Sequence, residues 1–128
     1  MRVPLLILTL LAPNSLMGGP SSYICEITDF NIPGGDVENR EWVGEAAMET
    51  TVAIDRKTGR VIHPTIGNAS FTNVTVLNEG SPSWGFKVLA DSGNGGHIRY
   101  YEVHEHDVGA TKAFLAVSDG IAFIGRCL

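Results

Sequence analysis

The chain has 128 residues, 44% of them hydrophobic, with 9 basic against 14 acidic side chains and a formal charge of −5. That size suits one compact domain, and 15 glycines with only 18% charged residues exclude both a charge-rich disordered tail and a long-helix protein. So few cations, with no basic run, leave no electrostatic footprint for phosphates, and nucleic acid is excluded as a partner.

Arg2 precedes the apolar run Val3 to Ala12, which Pro13, Asn14 and Ser15 break. These are the charged and hydrophobic regions of a secretory signal peptide. The run is too short to cross a bilayer, which takes roughly 20 apolar residues, so no stable membrane insertion is expected. The reading places a signal peptide over residues 1–21 and a single β-domain over residues 22–128, secreted or periplasmic. Cleavage is expected between Gly19 and Ser22. Loss of Arg2, the one charged side chain in that segment, takes the formal charge from −5 to −6.

Cys25 then stands near the start of the exported chain and Cys127 next to its end. Two cysteines in an exported protein are most simply one disulfide. Closing a loop of about 100 residues stabilises the fold by roughly 4.7 kcal/mol in the chain-entropy model. No CxxC and no third cysteine point to a catalytic or metal-binding thiol.

Short segments rich in Val, Ile, Thr and aromatics, separated by Gly, Asn, Asp and Pro, predict an all-β domain. Ser22 to Thr28 alternates with Tyr23, Cys25 and Ile27 on one face, and Ala46 to Asp55 alternates with Met48, Thr50, Val52 and Ile54 together. A short helical turn fits within Asp36 to Gly44. Arg56-Lys57-Thr58-Gly59 returns the chain as a hairpin into Arg60 to His63, and Pro64 ends it.

Ser70 to Leu77 and Trp84 to Ala90 form the next pair, with Trp84, Phe86 and Val88 assigned to the core face. Asp91 to Gly96 is a glycine loop, His97 to His106 a long strand in which Tyr100-Tyr101 marks a bulge, and Asp107 to Lys112 a connection. Asp119-Gly120 predicts a type I′ hairpin between Ala113–Ser118 and Ile121–Cys127. The expected architecture is a small antiparallel eight-stranded barrel, with a two-sheet β-sandwich as the alternative. A disulfide between the inner faces of the first and last strands would bring the sheet edges together.

Glu102-Val103-His104-Glu105-His106-Asp107 is the most suggestive cluster. On a strand, His104 and His106 project to one side and can offer two imidazoles to a divalent metal, joined by Glu102. His63 or His97 would have to complete the set. A solvent-facing strand without metal is the other reading. No G-x-S-x-G elbow is present, and the glycine loop lacks the lysine and helix of a phosphate cradle, so an enzyme is not expected. Asn68-Ala69-Ser70 and Asn73-Val74-Thr75 fit the glycosylation sequon and are read as ordinary strand and turn residues.

The run Val52 to Arg60, the Phe86-Lys87-Val88 strand, and the ending Lys112 to Leu115 through Gly125-Arg126-Cys127 resemble a family of small secreted or periplasmic bacterial proteins with a terminal cysteine pair. That resemblance carries no activity. Tyr23-Ile24-Cys25, Cys127 and the Ser92-Gly93-Asn94-Gly95-Gly96 loop before Arg99-Tyr100 also resemble the periplasmic inhibitors of c-type lysozyme. This second likeness implies a binding loop of Ser92, Gly93 and Asn94, with Lys112 in place of the inhibitors' lysine-glycine pair. The functional expectation is a non-enzymatic binding or inhibitory module for a protein or small ligand. The alternatives are metal binding at His104/His106 and lysozyme inhibition.

Overall fold

The computed structural model describes residues 20–34 and 37–128, so the predicted signal peptide lies, except for its last two residues, outside the described part. In chain order the elements are β1 (Ser22–Asn31), α1 (Val37–Ala47), β2 (Thr51–Asp55), β3 (Val61–Ile62), β4 (Asn73–Glu79), β5 (Phe86–Asp91), β6 (Ile98–Val103), β7 (Lys112–Ser118) and β8 (Ile121–Cys127). All strand pairs are antiparallel, and they form one curled sheet in the order β3-β2-β1-β8-β7-β6-β5-β4.

Period-two alternation builds the core. Tyr23, Cys25 and Ile27 from β1 meet Phe86, Val88 and Ala90 from β5, Tyr101 and Val103 from β6, and Phe114 and Ala116 from β7. Val43 and Ala47, one helical turn apart, add the inner face of α1 to the same cluster. The predicted Asp119-Gly120 hairpin is present, both residues having the positive φ (51° and 82°) of a type I′ turn. Gly125 answers to a different constraint: a Cβ there would lie 1.9 Å from the carbonyl oxygen of Glu26, where β1 and β8 converge.

Cys25 and Cys127 are bridged, as the sequence implies, and both are buried. The bridge does not join sheet edges, however. β1 and β8 are neighbours within the sheet and Cys25 lies directly opposite Cys127, so the edges are β3 and β4.

Three other expectations are corrected. Ala46 and Ala47 end an 11-residue helix rather than starting a strand. Glu49 has a left-handed backbone (φ 62°) that stops the helix, and the ladder starts at Thr51. Trp84 is 64% exposed, held in a tight turn by reciprocal backbone hydrogen bonds with Ser81, and β5 starts after it at Phe86. Finally, β6 is regular through Tyr100-Tyr101, and the bulges fall at Thr28 in β1 and Leu77 in β4.

The registers sort the connections into two ends. Helix α1, the 92–97 loop and the Asp119-Gly120 turn lie at one end, here the helix end. The 56–60, 80–85 and 104–111 connections lie at the other, the turn end, beside the start of β1 and the end of β8.

Candidate metal centre

β6 runs from the helix end to the turn end, and its alternation continues past its last ladder residue. His104 N–H still donates to Ala113 O (2.9 Å), after which Glu105 N–H turns back to Val103 O (2.8 Å) and Asp107 N–H to His104 O (2.9 Å). This tight turn replaces the strand expected through His106. It leaves His104 and Asp107 half-buried and His106 exposed, and it buries Glu105.

The outward side carries the chemistry. His104 and His106 place their ring centroids 5.1 Å apart. With Asp107 they offer three ligand atoms that lie within 4.8 Å of one another. In tetrahedral zinc, with metal–nitrogen bonds of about 2.0–2.1 Å, donor atoms sit about 3.4 Å apart. The carboxylate in the group is Asp107, not Glu102.

Glu102 is engaged differently. Its Oε1 accepts from the Tyr100 hydroxyl (2.6 Å) and its Oε2 lies 2.7 Å from His104 Nε2. Hydrogen bonding from Tyr100, then from His104, holds this carboxyl below the usual carboxylate range, so it is an ionised acceptor. A carboxylate on Nε2 fixes the imidazole with its proton there and leaves Nδ1 as the lone-pair donor. Metal-binding histidines are oriented in this way.

Asp107 is also held ionised, first by the Ala113 N–H that bonds its Oδ2 (3.1 Å), with the two neighbouring histidines and Lys112 adding to the effect. Lys112 Nζ donates to the Asp107 carbonyl and so clamps the turn from β7.

The inward side fastens the turn. Glu105 pairs with Arg56 at 3.4 Å, their side chains 8% and 14% exposed. From the β2–β3 connection, Arg56 also donates through Nε to Glu79 O (2.8 Å), through Nη2 to Gly80 O (2.9 Å) and through Nη1 to Pro20 O (3.1 Å). Its guanidinium stands 5.8 Å from the Tyr23 ring centroid. One arginine thus ties together four segments of the turn end. The Tyr23 hydroxyl and Glu105 Oε2 are buried with no hydrogen-bond partner among the described residues. Burial, reinforced by the Glu105 charge and opposed by Arg56, raises the Tyr23 pKa.

Sequence reasoning missed Arg56 and Glu105. Glu105 shares the inward parity of Tyr101 and Val103, and that was a usable signal. Arg56 had none, because its partner is distant in the chain.

The other two histidines lie elsewhere. His97 is at the helix end, 3.1 Å from Asp119 Oδ1. His63 is used up locally: its Nδ1 accepts from Thr65 N–H (3.0 Å) and Ile66 N–H (3.2 Å), and its Nε2 donates to Thr50 Oγ1 (2.7 Å), which donates to Ala47 O.

Ser92, Gly93 and Asn94 belong to a helix-end loop ordered from within, Asp91 Oδ1 accepting from Gly93 and Gly95 N–H and Asn94 Oδ1 from Gly96 N–H. Lys112 is at the opposite end of the sheet, roughly 20 Å away along β6 at about 3.3 Å per residue. The four residues do not form one surface. Of the two sequons, Asn68 is buried with its side chain bonded to Val61 N and Gly59 O, whereas Asn73 is exposed at the start of edge strand β4. No family model, curated protein or solved structure matches the chain.

Proposed function

We propose that the protein is an exported, non-enzymatic binding module that holds one divalent transition-metal ion of the zinc class at its turn end, through His104, His106 and Asp107. The observation that carries this reading is the convergence of those three ligand atoms within 4.8 Å, beside a Glu102 carboxylate that orients His104. Two imidazoles and one carboxylate suit zinc, copper or nickel better than calcium or magnesium, which favour all-oxygen sets. The remaining coordination position is left to water or to a partner's side chain.

Trp84 and Val108, 64% and 98% exposed on the adjoining connections, give a partner apolar contacts beside the ion. Export is supported by the Cys25–Cys127 bridge and the apolar run after Arg2. In this reading the curled sheet works as a small barrel. Arg56 reaches across from the β2–β3 turn to the end of β4, and a Cβ at Gly59 would stand 3.0 Å from Val88.

Chelator-stripped protein titrated with zinc should take up one equivalent, and the His104→Ala/His106→Ala double variant should take up none. Absence of stoichiometric uptake by the parent protein contradicts the reading. A second reading, inhibition of c-type lysozyme, draws support from the eight-stranded sheet and the Cys25–Cys127 bridge. It would rest on the Ser92–Asn94 loop without Lys112, and failure of excess protein to slow c-type lysozyme on cell walls removes it.

A further inference from the structure

Away from the turn end, the sheet stops short between its edges. β3 has two residues, and the segment 63–72 that leads from it to β4 lines a cleft of about 570 Å³. This is the size range of small-ligand sites, which combine an apolar lining with a few fixed polar groups. Ile62, Pro64 and Phe71 supply the apolar wall, and Val61 beside them is fully buried. Gly67 lets the segment fold tightly, since a Cβ there would lie 2.6 Å from His63 O.

Arg99 is the charged group in the lining. Its guanidinium lies 4.8 Å from the Phe71 ring centroid, Nε donates to Ser118 Oγ (2.9 Å), and Nη1 donates to Gly67 O. Among the described residues no carboxylate forms an ion pair with it. His63, also in the lining, cannot serve as a second cation near neutral pH, because burial lowers its pKa. A guanidinium has five N–H donors, so these bonds leave others for an anion, and a planar carboxylate matches the fork. A half-buried cation held rigidly without a counter-ion, beside an apolar wall, is complementary to an anion with an apolar body.

We infer that this cleft binds a small organic carboxylate of about phenyl size, the carboxylate on Arg99 and the apolar body against Ile62, Pro64 and Phe71. The site is separate from the metal centre and does not depend on it.

Benzoate is the probe. Added to the disulfide-bonded protein, it should shift the amide resonances of residues 61–63, 65–71 and 99 saturably, and benzamide should bind at least about tenfold more weakly because it lacks the charge. Arg99→Met should abolish the difference between the two. Since Arg99 also holds Gly67 and Ser118, Ile62→Glu provides a second test. Ile62 is 69% exposed at the rim, and a carboxylate there removes apolar contact from both probes but should weaken benzoate about fivefold more than benzamide, by repulsion. Equal binding of benzoate and benzamide, an equal loss of the two or an unchanged benzoate affinity in Ile62→Glu, or tighter binding of inorganic phosphate than of benzoate would each overturn the inference.

Discussion

His63 and His104 sit at opposite ends of the sheet and have opposite hydrogen-bond accounts. His63 spends both ring nitrogens on its own fold: Nδ1 caps two backbone N–H groups of the 63–67 segment, and Nε2 ties that segment to Thr50 at the end of α1. His104 engages one nitrogen, with Glu102, and sits in a turn whose anchoring is done by Glu105 on the inner side. An imidazole with both nitrogens satisfied holds a loop in place, whereas one oriented by a carboxylate and free at the other nitrogen is available to a ligand. The difference lies in the neighbours, since both histidines follow a strand and precede a turn.

The largest effect should come from removing the anchor. Glu105→Ala removes the carboxylate that pairs with the buried Arg56 guanidinium and is expected to cost about 3–5 kcal/mol in denaturant unfolding, with zinc affinity falling as the turn loosens. A loss under about 1 kcal/mol would show that the four segments held by Arg56 do not depend on the pair.

His63→Ala should follow, at about 2–4 kcal/mol, because it strands the Thr65 and Ile66 N–H groups. His104→Ala, made on the half-exposed side of its turn, should stay within about 0.5 kcal/mol of the parent while losing the metal. Equal destabilisation by the two would erase the contrast.

Glu102→Gln refines it further. Folding should be nearly unchanged, but the amide no longer sets the His104 tautomer, and zinc affinity should fall about 10–100-fold. The smallest effect is in pH. Burial lowers the His63 pKa below its ordinary 6.5, so the unfolded chain takes up a proton more readily than the folded one. This contribution to stability is fully present above about pH 6.5 and is lost as pH falls through the folded-state pKa. His63→Gln should flatten that part of the stability profile, measured by unfolding at successive pH values.

Much of the sheet was legible because its causes are local. Alternation placed Tyr23, Cys25, Ile27, Phe86 and Val88 inward, and Asp119-Gly120 set the final hairpin. The helix-to-strand switch at Glu49 was not legible, because alternation at Met48, Thr50, Val52 and Ile54 runs unbroken across it. Strand periodicity joined Glu102 to His104, correctly as neighbours, but the turn after Val103 brings Asp107 within 4.8 Å of the two histidines and leaves Glu102 bonded to Tyr100 and His104. Arg56 and Glu105 meet only because of the strand order, and no pattern in either segment announces their contact.

The most direct test of the contrast is a zinc titration followed through the imidazole nitrogen resonances of all four histidines. One equivalent should shift His104, at Nδ1, and His106, while His63 and His97 keep their free-protein positions. Shifts spread evenly over the four rings, or saturation at His97 before His104, would contradict it.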